Sequence, residues 1–337
     1  MGLQIRELLK SRETSFEELS GKTIAIDGNN LLYQFLTTIR QRDGSFFTDS
    51  KGRVTSHIMG LFTRTSNMLM HNIRPVFVFD GPPPALKNAE ALRRREAKIE
   101  AIVGFEDAKQ RNDIEEMRKY ASRTTRLTSE MIDDAKRVIS AFGCPIIDAP
   151  SEGEAEAAYI AKSKRAFAVV SQDFDSLLYG APVLIRNFSV AGKRKVAGKP
   201  IYESVSPEMY FLSENLANLG IDSEQLICLG VLIGTDYNPG GVKGIGPRKA
   251  LALVKKYGHD FEALFSNVEW KYEYSWRDVA DVFHNMPTKD AVISFKDIDT
   301  KKLIEILCGE FEFSRERTLP ILEQVSHKKQ KGLNEFF

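Results

Sequence analysis

Three carboxylates, Glu152, Glu154 and Glu156, fall within five residues in the stretch Ala149-Pro150-Ser151-Glu152-Gly153-Glu154-Ala155-Glu156. A helix start accounts for part of this, because Ser151 and Glu154 fit a capping box and acidic side chains suit the positive end of a helix dipole. The rest of the chain supplies more acid. Residues 23–26 run into Asp27, residues 75–79 into Asp80, and the apolar run 166–170 is followed by Asp173 and Asp175. Each run reads as a buried strand whose C-terminal end delivers aspartate. One such aspartate is more often a helix cap than a ligand. Ligands of open α/β sheets bind outside the carboxyl ends of the strands, however, so all of these side chains would converge there with the glutamate stretch.

Convergence of this kind asks for a cation. Two carboxylates about 6 Å apart at an effective dielectric near 20 repel by roughly 3 kcal/mol, and several such pairs do not stay ionised without a partner. No Cys or His cluster with zinc spacing accompanies them, and all-oxygen ligation favours Mg²⁺ or Mn²⁺. Two ions roughly 3.5 to 4 Å apart, as in enzymes that cleave phosphodiesters, suit so many carboxylates.

The elements that must position these groups follow from pattern and composition. Strand-like runs alternate with helical stretches at 30–40 and 55–69, which implies an α/β fold with a mostly parallel central sheet flanked by helices. A short amphipathic helix is expected over 3–10, and Thr55 or Ser56 is expected to cap the second helix. Further on, 183–186 and 202–205 read as strands around a basic loop, Lys193-Arg194-Lys195. Ser206-Pro207 reads as a helix opening, and Gln225 to Gly234 as a helix leading to Asp236, a further ligand or a cap. Between 86 and 126, 19 of 41 residues are charged, the pattern of a solvated helical insertion without a core of its own. Lys87 and Arg94 are seven residues apart there, two helical turns, and so share a face. Beside a carboxylate centre they would hold a phosphate and offset charge developing on it.

A second stretch invites an anion. Gly240-Gly241-Val242-Lys243-Gly244-Ile245-Gly246-Pro247-Arg248-Lys249 combines glycines that allow close backbone approach with a proline suited to a first helical position. Arg248 and Lys249 in a first turn oppose the helix dipole, and a bound phosphate would remove that conflict. The Gly-Lys-Ser/Thr of a Walker loop is absent. At the end of the sequence, Leu333, Phe336 and Phe337 lie at i, i+3 and i+4, an apolar face suited to a groove on a partner. Trp270 and Trp276 read as core residues.

With 47 basic and 46 acidic residues the net charge is only +1, so any nucleic-acid surface must be local. Cys144, Cys228 and Cys308 are far apart in sequence and form no Cys-x-x-Cys pair, which suits a reducing compartment. No apolar run approaches the roughly 20 residues that span a bilayer, and no signal-peptide core is present.

In combination, Ile26-Asp27-Gly28-Asn29, Val78-Phe79-Asp80-Gly81, the 149–155 stretch, Gln172-Asp173-Phe174-Asp175, Gly234-Thr235-Asp236-Tyr237 and Gly244-Ile245-Gly246-Pro247 resemble the structure-specific 5′ nucleases, most closely the archaeal flap endonucleases. The resemblance implies that Asp27, Asp80, Glu152, Glu154, Asp173, Asp175 and Asp236 bind two Mg²⁺ ions, with Mn²⁺ able to substitute. It gives Lys87 and Arg94 a catalytic role on a helical arch, and makes Gly2, Tyr33, Arg40, Gly244, Gly246, Arg248 and Lys249 DNA contacts. It further implies a helix-two-turn-helix that holds duplex DNA around a K⁺ ion, and a sliding-clamp peptide with Gln330, Leu333, Phe336 and Phe337. The corresponding division is 1–81 as the first part of the nuclease core, 82–130 as the arch, 131–325 as the remaining core with the helix-two-turn-helix near 225–258, and 326–337 as a flexible tail. Some relatives carry several acidic residues where this chain has Asp49-Ser50-Lys51-Gly52-Arg53.

The activity implied is hydrolysis of a DNA phosphodiester near the base of a 5′ flap, with 5′-3′ exonuclease activity alongside, in Okazaki fragment maturation and repair. Competing readings are a Holliday-junction or bubble nuclease of the same family, a non-catalytic junction binder on the clamp, and a ribonuclease of related topology. Because the sequence stops at the clamp peptide without a basic tail, a prokaryote-like cytoplasm is expected, nucleoid-associated, with a nucleus as the eukaryotic alternative.

Overall fold

The computed structural model describes residues 3–111, 113–121, 124–188, 193–195, 202–204 and 206–334, with the side chains of 88–98, 114, 118–119, 121, 193–195, 202–204 and 327–334 outside that description. The chain passes in order through β1 (Arg12–Glu13), β2 (Thr23–Asp27), α1 (Gly28–Thr38), α2 (Ser56–Met70), β3 (Arg74–Phe79), α3 (Asn88–Gln110), α4 (Ile114–Ala121), α5 (Ser129–Ala141) and β4 (Ile146–Asp148). It continues through α6 (Gly153–Lys162), β5 (Ala168–Val170), α7 (Asp175–Leu178), β6 (Val183–Arg186), β7 (Lys193–Lys195), β8 (Tyr202–Ser204), β9 (Glu208–Phe211), α8 (Leu212–Leu219) and α9 (Ser223–Ile233). The last helices are α10 (Pro247–Tyr257), α11 (Phe261–Ser266), α12 (Trp276–Asn285), α13 (Thr300–Ile304) and α14 (Arg315–Asn334).

Among the described residues, seven strands form one sheet in the order β1-β9-β6-β5-β2-β3-β4. The run from β6 to β4 is parallel, and β9 and β1 add an antiparallel edge. Successive side chains of a strand point to opposite faces. Ala25, Val76, Val78, Val169 and Leu184 accordingly pack against α6, α7, α9, α10 and α12, whereas Ile24, Ile26, Phe77, Phe79 and Ile185 pack against α1, α2, α5, α13 and α14. The result is the expected three-layer α/β arrangement. Its topological consequence matters most: β2 pairs with both β3 and β5, so the chain departs in two directions from β2 and leaves a crevice at the carboxyl ends of these strands.

Several local expectations are corrected. Only Arg6–Leu8 of the 3–10 segment is helical, as one 3-10 turn, because Leu3 and Ile5 are drawn fully into the core. Lys193–Lys195 is a strand paired with β8 rather than a basic loop. Ser206-Pro207 opens β9, not a helix: the Pro207 carbonyl accepts from Thr14 N–H and the strand that pairs with β1 and β6 follows. Trp270 and Trp276 pack against the core as expected, though only half-buried, with Trp276 stacked on Phe265 at 4.5 Å. No disulfide joins Cys144, Cys228 or Cys308.

Candidate metal centre

Each strand end places its carboxylate by local rules. Asp27 is the last residue of β2 and also the N-cap of α1, its Oδ1 accepting from Asn30 N–H at 3.0 Å. The cap reading that its sequence position allowed is therefore met. Asn30 then donates from its side-chain amide to Asp173 Oδ2 at 2.7 Å, which ties the loop after β5 to the start of α1. Asp80 follows β3, and its Oδ1 accepts from Gly153 N–H, the first residue of α6, at 2.8 Å. The capping box expected of Ser151 and Glu154 is not formed. Glu152 is the N-cap of α6, without a side-chain cap. Ser151 Oγ donates to the Pro82 carbonyl at 3.0 Å, and Glu154 accepts from Ser171 Oγ at 2.9 Å. Both side chains are taken up by contacts across strand ends, which leaves the acidic groups facing the crevice.

Asp175 begins α7 and accepts from the backbone N–H of Leu3 at 3.1 Å, so the N-terminal segment helps to seat it. Asp236 lies in the turn after α9, where Thr235 Oγ1 donates to Asn238 Oδ1 and accepts from Tyr237 N–H. Gly234 has φ +111 and approaches Gly241 so closely that a Cβ would lie 2.5 Å from the Gly241 nitrogen.

Lys87, at the foot of α3, reaches into this group. Its Nζ lies 2.6 Å from Glu152 Oε2 and 3.7 Å from Asp236 Oδ2. Lys87, Glu152, Glu154, Asp175 and Asp236 line a cavity of about 10 Å³, room for about one water.

Asp27, Glu152 and Asp175 retain only 5%, 7% and 7% of their exposure. Burial, followed by Asp80, pushes the Asp27 carboxyl well above the usual range. Burial, followed by Asp175, does the same to Glu154. Asp175 is pushed up to about 7 by burial and then by Asp236 and Asp173, against the stabilising Leu3 N–H. Asp80 and Glu152 are raised chiefly by burial, the latter opposed by Lys87. Burial alone would lower the Lys87 ammonium, but Glu152, Asp236 and Asp80 together outweigh it and raise its pKa.

Among the described residues, no three acidic, His or Cys side chains close around one point tightly enough to hold a metal ion. Lys87 is the local counter-charge of the group. The donor set nevertheless fits a hard divalent cation: it is all oxygen, largely desolvated, and already recruits an ammonium ion to offset its charge.

A chain with this site at the β2 switch point has close relatives. A flap endonuclease 1 of Pyrococcus abyssi is 48% identical over 98% of this chain and 96% of its own. The chain belongs to the flap endonuclease family. In keeping with that, the XPG N-terminal domain matches residues 2–101 and the XPG I-region matches residues 143–236. The solved flap endonuclease-1 of Methanococcus jannaschii, 39% identical, superposes with a TM-score of 0.75 over 97% of this chain and 98% of that one. The catalytic core of Rad2 in complex with DNA substrate shares the fold at 23% identity, with a TM-score of 0.69 over 94% of this chain and 96% of that one.

Tyr33 on α1 is 44% exposed, and Arg40 donates to the Leu36 and Gly44 carbonyls and to Thr125 Oγ1. Gly246 caps α10 with Pro247 at its first position, as expected. Gly244 has φ +76 and accepts from Lys249 Nζ at 3.4 Å, and Arg248 lies 3.5 Å from Glu7. Arg94 lies in α3 and Gln330 and Leu333 in α14, which continues to Asn334 where a flexible tail was expected. The side chains of these three, and Gly2, Phe336 and Phe337 altogether, fall outside the described residues.

Two features escaped the sequence reading. Tyr179 and Tyr237 line the acidic cavity with their hydroxyls 2.5 Å apart. A second, largely apolar cavity of about 380 Å³ lies between α2 and the segment leading into α14, lined by Phe47, Thr55, Met59, Phe62, Phe313 and Ile321 among others. The loop at its rim is tied down by Asp49, which accepts from Arg53 Nε at 2.7 Å, and by Glu312, which accepts from Ser50 N–H at 2.8 Å.

Proposed function

We propose that this chain is a structure-specific 5′ flap endonuclease that hydrolyses a DNA phosphodiester near the flap base during Okazaki fragment maturation and repair. One observation carries the reading: carboxylates from β2, β3, α6, α7 and the turns after β5 and α9 meet at the sheet's switch point, with Lys87 at the foot of α3 among them.

Nucleases of this family use divalent metal ions, and Asp27, Asp80, Glu152, Glu154, Asp173, Asp175 and Asp236 are the residues that would hold two Mg²⁺, or Mn²⁺ in substitution. Bound there, such ions supply the charge that activates water and stabilises the leaving oxygen. The chain's own groups do the rest. Lys87 exchanges its carboxylate partner for a phosphate oxygen, and Arg94, in the helix that Lys87 precedes, adds a guanidinium fork. The exposed ring of Tyr33 offers a stacking face for a base next to the cleaved bond. The 82–130 arch selects the single strand. The glycine-rich turn around Gly244 and Gly246, with Arg248 and Lys249, holds the duplex backbone, and its carbonyls would be the ligands of a K⁺ ion. Gln330, Leu333, Phe336 and Phe337 dock on a sliding clamp, and the enzyme works at the nucleoid of a prokaryote-like cell.

Cleavage of labelled double-flap, bubble and four-way-junction DNA at equal concentration, with and without Mg²⁺, tests the assignment. Metal-dependent incision favouring the double flap is expected. Preference for the junction or bubble would replace the substrate, and binding without incision would leave a junction scaffold. Replacing Phe336 and Phe337 by Ala should abolish clamp stimulation while basal cleavage persists; loss of both would overturn the separate docking role.

A further inference from the structure

The acidic cavity has a wall of two phenols that the hydrolysis described above leaves without a task. Tyr179 closes the helical turn that Asp175 begins, its N–H reaching back to the Asp175 carbonyl at 3.3 Å. Tyr237 follows Asp236 directly in the chain. Their hydroxyls meet at 2.5 Å across 58 residues of sequence. This one contact therefore joins the segment that carries Asp175 to the turn that carries Asp236.

The surroundings hold the pair rigidly. Tyr237 is 3% exposed, and its carbonyl accepts from Tyr274 OH at 2.6 Å. Phe283 packs against both rings, with centroids 5.0 Å from Tyr179 and 5.4 Å from Tyr237. Phenylalanine at either position would keep the ring packing without the cost of burying a hydroxyl. A pair of hydroxyls beside several carboxylates therefore calls for a polar task. The hydrogen count supplies one. Two phenols carry two O–H hydrogens, their mutual contact consumes one, and the remaining donor belongs to a cavity whose other polar side chains are four carboxylates and the Lys87 ammonium.

We propose that the Tyr179–Tyr237 hydroxyl pair is a positioning device for the metal centre. It ties the Asp236 turn to the Asp175 helix against the repulsion between their carboxylates, and it presents one phenolic hydrogen to an oxygen in the cavity. The inference rests on the reading of these carboxylates as ligands of a divalent cation. By fixing two of them before the cation arrives, the pair removes part of the ordering cost of binding.

Tyr179→Phe, Tyr237→Phe and the double variant test this, each measured for Mn²⁺ binding without DNA, for single-turnover cleavage of the double flap in saturating Mg²⁺, and for thermal melting. Each single variant should bind Mn²⁺ about 10-fold more weakly, the effect typical of groups that support metal ligands. The single-turnover rate should fall with it, while DNA affinity stays within about 2-fold and melting is little changed. The double variant should lose less than the product of the two single losses, because each single variant already loses the mutual contact. Unchanged Mn²⁺ binding and rate in both single variants would overturn the proposal. So would losses that multiply in the double variant, or losses that track a lowered melting temperature. A wild-type chain that binds Mn²⁺ but leaves the flap uncut would overturn the flap assignment and not the pair; one that does not bind Mn²⁺ would overturn both.

Discussion

Asp175 shows at the level of one residue how this fold sets chemistry against stability. Its carboxyl is almost fully buried, it faces Asp236 and Asp173, and its pKa is pushed up to about 7. A raised carboxylate pKa means that the folded state binds the proton more tightly than the unfolded one, so the ionised form costs stability as pH rises through 7. Asp175→Asn keeps an oxygen for the Leu3 N–H and removes the charge. In metal-free buffer at pH 8 the variant should therefore melt at or above the wild-type temperature, whereas flap cleavage should fall by at least about 100-fold. Added Mg²⁺ should raise the melting temperature of the wild type and leave that of the variant nearly unmoved. A lowered metal-free melting temperature would show instead that the charge supports the fold.

At the scale of elements, the site depends on how closely β3 and the entry to α6 approach. Gly81 follows Asp80, donates its N–H to the Ser151 carbonyl at 2.6 Å, and has no room for a side chain: a Cβ there would lie 2.3 Å from the Ala149 carbonyl oxygen. Gly81→Ala must separate the Asp80 loop from the glutamate stretch, at a cost of about 1–3 kcal/mol, typical of overpacking. It should lower the cleavage rate with the melting temperature, and a variant of wild-type activity and melting would show that the two segments need not touch. The alternation of apolar runs with helical stretches made β2, β3, β5 and the aspartates at their ends legible, since burial on both faces and termination at a crevice leave marks in adjacent residues. Where the deciding contact was remote, the signs misled. Ser206-Pro207 has the form of a helix start, yet it is claimed by pairing with the N-terminal strand. Ser151 and Glu154 have the spacing of a capping box, yet they bond to Pro82 and Ser171. The Tyr179–Tyr237 contact joins residues with no shared periodicity, so nothing local announced it.

Across the whole molecule the balance of 47 basic and 46 acidic side chains leaves no general field to attract DNA. The negative centre at the sheet's switch point would by itself repel a phosphate backbone. Affinity must then come from local cations that hold the duplex away from the carboxylates while the scissile bond is delivered to them. Arg248 is 84% exposed at its side chain, and Lys249 lies beside it in the first turn of α10. Both lie in the stretch legible in sequence as an anion site, and each neutralised phosphate releases counterions. Arg248→Ala and Lys249→Ala should each reduce the slope of log affinity against log salt by up to about 0.9. The reduction should be smaller at Arg248, which already faces Glu7 at 3.5 Å. On the proposed reading these side chains hold the duplex and not the reacting phosphate, so single-turnover cleavage at saturating enzyme should be preserved. Fluorescence anisotropy across a salt series, paired with single-turnover rates, separates the two effects. An unchanged slope would remove α10 from the DNA interface, and a lost saturating rate would place it in the chemistry.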